Sequence, residues 1–369
     1  ASVFGSGAVG GSVHLNSDLK SIHKNAFSVS TTSGSYGLQS ESLAFSLTDG
    51  KFLAKGSLQF LSHANNFEFI NTTLMGHPLV TNDYGKIKSQ NQQLDMSYTL
   101  SPHTNYSFSY WASQQDREVP QNMTTPFSDA KQYDRANRAL LSLNHKVNHF
   151  SIIIKQAYLQ EDFRYTEILK NINSHYLAES YISDADIKLI KGNYLFNLGG
   201  AFTTNNLANN NYVSMGKQER SLAAFSALQY RSDFLAFNTV LRKEWQTTFE
   251  VPIMPTLAFE AQLSPAIEFR LKYNRNFRSP TFNDRFWAGA GANGNPDLTP
   301  EDAWNKELGF DVTTKLVRFS LTGYTLNISD MILWQQMENG NWIPNNIKQV
   351  WSRGVEAKAK FKIKELSIA

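Results

Sequence analysis

The chain has 369 residues, of which 41% are hydrophobic, 13% aromatic and only 18% charged, and its formal net charge is +3. This balance argues against a basic nucleic-acid-binding surface and against an acidic disordered tail. The absence of cysteine excludes disulfide scaffolds, zinc ribbons, iron–sulfur sites and cysteine nucleophiles. No stretch approaches the ~18 consecutive apolar residues of a membrane-spanning helix, so a helical membrane protein is excluded, whereas a barrel of alternating strands is not.

The chain begins with a glycine-rich block at residues 4–15. Its glycines have the spacing of a dinucleotide-binding turn, but such a turn needs a helix after it and an acidic residue about 20 positions further on. Here a short alternating strand follows, and position 30 is Ser30. We therefore expect no nucleotide site in this block.

Period-2 alternation of apolar and polar residues runs through most of the chain and predicts strands with one apolar and one polar face. Five segments show it most clearly, and we expect them to form antiparallel strands with their apolar residues facing outward: 94–100, 106–110, 267–273, 308–312 and 355–363. Helical spacing occurs only locally, around residues 161–177, where it competes with a loop. The predicted fold class is all-β.

Two kinds of connection alternate between these strands. Tight turns are predicted near residues 49, 102, 148, 192, 232, 265, 314 and 364. Long polar connections rich in Asn, Gly and Pro are predicted at 63–90, 115–132, 163–174, 205–217, 247–255, 276–302 and 335–348. Short turns at one end and long loops at the other are typical of outer-membrane barrels rather than of sandwiches or propellers. The pattern predicts about sixteen strands and the start of another.

The tryptophans give an independent indication. All seven lie on the long-loop side, five of them at strand ends: Trp111, Trp245, Trp304, Trp334 and Trp351. Indole prefers a membrane–water interface because its ring is apolar while its N–H needs a polar partner. One tryptophan alone would more often fill a local loop core, but five at one set of strand ends favour an aromatic girdle.

Three blocks of sequence motifs carry a resemblance to a known family. The motif residues are Gly5, Gly7, Gly10 and Gly11 in the first block, Pro280, Gly294, Asn295, Pro296, Pro300, Glu301 and Glu307 in the second, and Gly354, Val355 and Glu356 in the third. Together they resemble the TonB-dependent outer-membrane receptors. The resemblance spans the whole chain and is closest to the vitamin B12 (cobalamin) receptor branch, with ferric-siderophore receptors next.

This resemblance implies an antiparallel transmembrane β-barrel of 22 strands around a plug domain. Residues 1–17 are then expected to be the C-terminal end of the plug. Residues 18–369 are expected to form an incomplete barrel with strands 1–16 and the start of strand 17, so we interpret the chain as a fragment. We expect no pairing between residues 26–34 and 355–363, because the missing strands would lie between them in the whole molecule. The alternatives are a smaller closed barrel in which these edges pair, and an edge covered by another copy of the chain.

The resemblance also implies a function. It is the energised uptake of a scarce, bulky nutrient, cobalamin or a ferric siderophore, through the outer membrane of a Gram-negative bacterium. The implied partners are outer-membrane lipid, the TonB complex acting through the rest of the plug, the nutrient itself and a surface lipoprotein lid, with no role for nucleic acid. A passive porin-like or adhesin barrel is the alternative, but it needs no plug, and the glycine-rich block argues against it.

Aromatic and basic residues of the long loops are suited to a flat ligand such as a corrin or a catecholate. We expect the ligand-side residues to be Arg278, Phe282, Arg285, Trp287, Trp334 and Trp342. Glu301 and Glu307 are expected to meet an arginine of the plug or of the same loop. For these two carboxylates we favour a structural role in folding the loop.

Catalytic arrangements find no support in the sequence. His145 and His149 are separated by a predicted turn and share no helix face, while Asp184 and Asp186 are explained as polar lining of a barrel. We expect no enzymatic activity and no resident cofactor. Calcium is the only metal for which the sequence offers candidate ligands. They lie in the first long loop and carry side-chain oxygens, but they lack the spacing of an EF-hand: Asn65, Asn66, Asn82 and Asp83.

Overall fold

The computed structural model describes residues 24–120, 122–124, 128–212, 216–289, 291–363 and 366–368. The predicted plug segment 1–17 lies outside the described residues, together with its motif residues Gly5, Gly7, Gly10 and Gly11. The division into a plug end and a barrel therefore stays a prediction.

Strands make up most of the described chain, as the alternation predicts. Their bounds are β1 Ala26–Gly34, β2 Leu38–Thr48, β3 Phe52–His63, β4 Glu68–Ile70, β5 Leu79–Thr81, β6 Ile87–Ser101, β7 Thr104–Glu118, β8 Lys131–Val147, β9 Phe150–Glu167, β10 Ile172–Lys191, β11 Tyr194–Asn209, β12 Gly216–Arg231, β13 Leu235–Gln246, β14 Met254–Ser264, β15 Ile267–Arg278, β16 Ala288–Gly289, β17 Ala292–Asn293, β18 Glu301–Thr313, β19 Val317–Gln336, β20 Trp342–Ile363 and β21 Leu366–Ile368. A 3₁₀ turn spans Ile168–Lys170, and helix α1 spans Phe282–Phe286. No helix in the described ranges is long and apolar enough to cross a membrane.

Sixteen strands, β1–β3, β6–β15 and β18–β20, pair antiparallel with their neighbours in chain order. The short strands form two small hairpins, β4–β5 and β16–β17, and β21 pairs with the end of β20. Among the described residues, β1 pairs with β2 alone, and no pairing joins it to β20. The predicted count of strands and the predicted separation of these two edges are both confirmed.

The tight turns lie where they are predicted, except that the last one falls on residues 364 and 365, outside the described ranges. Several long loops are shorter than predicted. The predicted loop 163–174 is mostly strand, because β9 and β10 continue to the 3₁₀ turn, with Asp162 opposite Leu177. Asn171, at a φ of 53°, reverses the chain there. Cross-strand hydrogen bonds thus override the local helical spacing, and polar sequence at strand ends was misread as loop.

The two faces of the sheet differ in polarity, and the apolar face is the more exposed. Leu308 and Phe310 on the apolar face are 45% and 38% exposed. On the opposite face, Asp95 and Asn274 are 1% and 2% exposed. A water-soluble protein shows the reverse distribution. The apolar alternates therefore form the face predicted to meet lipid, which fits the outward orientation expected from the sequence.

The girdle of tryptophans is confirmed for three of five residues. Trp245 lies opposite Leu222 on the apolar face, and Trp304 and Trp351 lie on the same face of their strands as Leu308 and Val355, four residues further along. Trp111 instead shares the polar face with its partners Gln93 and Arg138, and Trp334 makes a polar contact in the loops that is described below. The prediction was wrong for these two residues because position at a strand end does not determine which face a residue occupies.

A second aromatic row, not predicted from the sequence, lies beside the short turns. Tyr194, Tyr230 and Phe237 are direct cross-strand partners on β11, β12 and β13. Their ring centroids are 4.9 Å and 5.6 Å apart. Aromatic residues therefore line both ends of the apolar face, as they do in outer-membrane barrels.

Placing a charged residue on the apolar face tests whether this face contacts lipid. Phe269 packs against Phe310 at a centroid distance of 5.2 Å. We expect Phe269→Arg to lower the free energy of unfolding in lipid vesicles by about 2–4 kcal/mol more than Phe269→Met, because only the arginine puts a charge into hydrocarbon. Urea titration of the protein in these vesicles measures this difference. Equal losses in the two variants would contradict the assignment.

Candidate ligand-binding site

The connection between β15 and β18 begins with a capped helical turn. Pro280 is buried and restricts the backbone just before α1. The Thr281 hydroxyl accepts a hydrogen bond from the Asp284 backbone N–H at 3.1 Å, and the Asp284 carboxylate accepts one from the Thr281 backbone N–H at 2.9 Å. This reciprocal pair is a capping box, which fixes the first turn of α1 directly after the strand.

Arg278, at the end of β15, joins two carboxylates. Its Nη2 donates to Glu301 Oε1 at 2.8 Å, and its Nη1 donates to Asp284 Oδ2 at 3.4 Å. Glu301 Oε1 also accepts the backbone N–H of Ile332 at 2.9 Å, and Asp284 Oδ1 accepts Trp334 Nε1–H at 2.9 Å. These five residues connect β15, α1, β18 and β19, and we call them the carboxylate latch.

The latch is shielded from water, since Asp284 and Glu301 are only 7% and 5% exposed. Burial opposes ionisation of Asp284, but hydrogen bonds from Thr281 and Trp334 and the charge of Arg278 outweigh it and hold the pKa of Asp284 below its ordinary value. Asp284 is therefore ionised at neutral pH. Arg278 and Trp334, both predicted to face a ligand, have polar atoms that are committed to this latch.

A second set of contacts accounts for the Gly-Asn-Pro element. A Cβ on Gly294 would lie 2.6 Å from backbone atoms of Arg285 and Phe286, so only glycine fits there. The side-chain amide of Asn295 donates to the carbonyl oxygen of Pro344 at 3.2 Å. These contacts hold the β15–β18 connection against α1 and against the beginning of β20.

The other signature residues lie in or beside the strands. Glu301 is bound to Arg278, an arginine at the start of the same connection, as expected. Glu307 instead lies 3.3 Å from Lys272 Nζ on the polar face and meets no arginine in the described residues. A Cβ on Gly354 would lie 2.6 Å from the Tyr324 hydroxyl, which explains glycine at that position. The remaining signature residues have exposed or partly exposed side chains: Pro296, Pro300, Val355 and Glu356.

Arg285 lies between aromatic rings rather than in open solvent. Its guanidinium is 4.4 Å from the ring centroid of Phe286 and 4.9 Å from that of Phe249, and Nη1 is 3.8 Å from Glu219. Burial lowers the pKa of Arg285. Lys217 Nζ also lies 4.0 Å from the Phe286 centroid. These cation–π contacts join α1 to the loop ends of β12 and β13.

Tyr212 connects the same helix to the loop between β11 and β12. The residue is buried, its hydroxyl donates to Asn283 Oδ1, and its backbone forms a bridge with Trp287. Burial raises the pKa of Tyr212 to about 12, so the phenol remains a hydrogen-bond donor at neutral pH. Sequence reasoning missed Tyr212 because its partner Asn283 is distant in the chain. It also missed Asp284, although Thr281 and Asp284 have the spacing of a capping box.

Three predicted ligand-side aromatics remain accessible in this loop system. Phe282 and Trp287 are partly exposed, and Trp287 Nε1 donates to the nearby carbonyl of Gly289 at 3.1 Å. Trp342 is 46% exposed, and its backbone N–H donates to the carbonyl oxygen of Gly291 at 2.8 Å. The structure therefore places these three rings on loops that are bound to one another.

The calcium candidates lie in a different loop. Asn82 is buried, and its side-chain amide donates to the carbonyl oxygen of Asn65 at 2.8 Å, whereas Asp83 is exposed. In the part of the chain that the structure describes, no three His, Cys, Asp or Glu side chains converge as a metal site. The Asn82 contact uses the amide nitrogen and not the side-chain oxygen, so a calcium site in this loop stays a prediction. Calcium has no part in the function proposed below.

Comparison with known proteins identifies the family. Residues 21–368 match the sequence model described as "TonB dependent receptor-like, beta-barrel". The chain belongs to this family. Its members reside in the outer membrane of Gram-negative bacteria, so the apolar face described above meets lipid.

Two vitamin B12 transporters named BtuB are similar in sequence. The protein of Photobacterium profundum is 32% identical over 109 residues, which cover 28% of this chain and 18% of the transporter. The protein of Vibrio vulnificus (strain YJ016) is 28% identical over 164 residues, which cover 44% of this chain and 25% of the transporter. The matched regions thus span a quarter or less of these relatives.

Two solved structures show the same fold. The siderophore receptor PirA of Pseudomonas aeruginosa has a TM-score of 0.75 at 16% identity, over all of this chain and 69% of the receptor. A mutant of the ferric enterobactin receptor PfeA of the same organism has a TM-score of 0.72 at 13% identity, over 99% of this chain and 63% of the receptor.

The latch can be tested by removing one charge. We expect Asp284→Asn to cost about 1.5–3 kcal/mol of local stability, because a buried carboxylate that accepts several hydrogen bonds is replaced by a neutral amide. Hydrogen exchange of the amides of residues 281–287 in the full-length receptor measures this loss. Asp297→Asn, at an exposed carboxylate of the same connection, is the control and should leave protection unchanged. Equal effects of the two changes would refute the latch.

The depressed pKa of Asp284 predicts that the latch weakens in acid. Its folded pKa lies below the ordinary value of about 3.9, so its stabilisation is complete above that value and is lost as pH falls through the lower folded pKa. We expect pepsin to cleave the β15–β18 connection slowly at about pH 5, above the ordinary value, and faster once the pH falls below it. The Asp284→Asn variant should show a smaller change between these pH values, and an unchanged pH dependence would contradict the assignment.

Proposed function

We propose that this chain is part of an outer-membrane receptor that takes up a scarce, bulky nutrient, cobalamin or a ferric siderophore, with energy supplied by the TonB complex. The observation that carries the proposal is the carboxylate latch. It orders the long loops at one end of the barrel while leaving aromatic rings accessible on them. Similarity to transporters named for vitamin B12 and to siderophore receptors supports this class of ligand.

Preordered loops favour tight binding of a scarce ligand, because less conformational entropy is lost when the complex forms. Phe282, Trp287 and Trp342 offer flat apolar surfaces on which a corrin or catecholate ring can stack. The charges nearby are largely balanced, since Arg278 is bound to carboxylates and Arg285 lies near Glu219. Charge therefore does not distinguish cobalamin from an iron complex, and we leave both as candidates.

We propose that the TonB complex acts through the plug domain, whose last part we predict at residues 1–17. A surface lipoprotein lid over the loops is a further proposed partner. The receptor needs no catalytic step, because the family comprises receptors that transport their ligand. The role of this chain's own residues is then to order the loops, to stack on the nutrient and to present an apolar wall to the membrane.

The experiment that tests this proposal is ligand binding and uptake by the full-length receptor in cells. Radiolabelled cyanocobalamin and ferric enterobactin serve as probes, each with and without a protonophore. Saturable binding of one probe and uptake that the protonophore abolishes would support the proposal. Uptake without saturation, unaffected by the protonophore, would instead show a passive porin-like barrel, and absence of both activities would favour an adhesin.

The stacking role can be tested at one exposed ring. We expect Trp342→Ala to weaken binding of the transported probe by about three- to tenfold, because an aromatic contact is worth roughly 0.5–1.5 kcal/mol. Trp245→Ala is the matched control, since Trp245 is 52% exposed and also lies at the loop end of its strand, but on the apolar face beside Leu222. Equal losses in the two variants would refute a ligand contact at Trp342.

A further inference from the structure

The apolar face of β15, β18, β19 and β20 is arranged in regular cross-strand rows. Register places Leu271, Leu308, Gly323 and Val355 side by side in one row. Two residues further along each strand, towards the long loops, the next row contains Tyr273, Lys306, Thr325 and Arg353. Beyond it lies a row with Trp304 and Trp351. The order from apolar to basic to aromatic follows the change from hydrocarbon to headgroup at a membrane surface.

Gly323 makes a notch in the apolar row. It lies between Leu308 and Val355, which are both exposed, and a Cβ added to it would meet no atom within 4 Å. The groove at this position is lined by Leu271, Leu308 and Val355 on its apolar side. Because Gly323 has no side chain, the groove is open to an acyl chain of the surrounding membrane.

The two cations above the notch lack carboxylate partners. Lys306 contacts only the ring of Tyr273, at 5.7 Å, and Arg353 only that of Trp351, at 4.7 Å, as far as the described residues show. By contrast, each cation of the neighbouring strand β15 has a carboxylate partner. These pairs are Arg270 with Asp311, Lys272 with Glu307, Arg275 with Asp302, and Arg278 with Glu301. Two exposed, unpaired cations therefore mark this row.

A hydroxyl lies between these two cations. Thr325 is the direct cross-strand partner of both Lys306 and Arg353. Its Oγ1 accepts Trp351 Nε1–H at 2.7 Å, so its own hydroxyl hydrogen can donate to another acceptor. The backbones of the two cations are two strand spacings apart, about 10 Å, which long side chains can bridge to hold one tetrahedral anion. The row thus offers three donors to a single phosphate.

We propose that a phosphate-bearing lipid of the leaflet on the long-loop side binds here. Its phosphate lies between Lys306 and Arg353, and one acyl chain fills the notch at Gly323. Cations at the headgroup level attract anionic lipids, and the apolar notch distinguishes a lipid from free phosphate. The site lies on the outer wall of the barrel and is independent of the nutrient and of the loops that would bind it.

The test measures lipid retention by the delipidated full-length receptor, with bis-phosphorylated lipid A as the probe and native mass spectrometry as the readout. We expect the double variant Lys306→Gln/Arg353→Gln to weaken retention about 25-fold, roughly fivefold for each cation. We expect Gly323→Leu to weaken it about tenfold by filling the notch. Because the space beside Gly323 is open, this variant should keep the thermal unfolding midpoint of the wild type.

Controls separate the contributions of charge, notch and phosphate. Lys315→Gln removes an exposed cation in the short turn after β18, at the opposite end of the strands, and should leave retention unchanged. Dephosphorylated lipid A should bind much more weakly than lipid A, and millimolar inorganic phosphate should not displace the lipid. Equal retention of both lipids, displacement by inorganic phosphate, or wild-type retention by either site variant would overturn the proposal.

Discussion

The need to pair every backbone amide that crosses hydrocarbon governs this structure. An unpaired N–H or C=O costs several kcal/mol where water is absent, so each strand within the membrane must lie beside a partner. Pairing in chain order meets this demand for the long strands between β1 and β20, whereas β1 is paired along one side only in the described residues. Once pairing fixes the register, alternate residues are assigned to lipid or to the interior, and the distribution of polarity across the whole sheet follows from that assignment.

Much of the fold could be predicted because its signals are local. Alternation in residues such as Ile267, Phe269 and Leu271 reports directly on a two-faced strand, and turn residues mark where the strand ends. The limits of the prediction have a physical cause. Near the 3₁₀ turn the residues of β9 and β10 mix polar and aromatic side chains, with Phe163 stacked on Tyr176, so the alternation is hard to recognise although the strands continue. Polarity alone does not distinguish an exposed hairpin from a loop.

The loop site was predictable only in part. The proline and glycine motif marked the β15–β18 connection, and Glu301 was correctly given a structural role. However, the latch depends on contacts between distant positions, such as Asp284 with Trp334, which a single sequence does not encode locally. For the same reason the sequence did not reveal that polar atoms of Arg278 and Trp334 bond to carboxylates of the latch. An arginine or tryptophan in a loop has the same sequence signal whether its polar group is free or already bonded.

The length of the β9–β10 hairpin has a consequence for what the cell exposes to its surroundings. β10 has 20 residues, so it extends about 65 Å along its axis, and a tilt of about 40° leaves a height of about 50 Å. The apolar band of such barrels is only about 25 Å tall. A stiff blade therefore stands well above the membrane surface, and β8 and β11 stay paired to β9 and β10 for most of its height. Antibodies and bacteriophages that approach the cell would meet this blade before they reach the barrel wall.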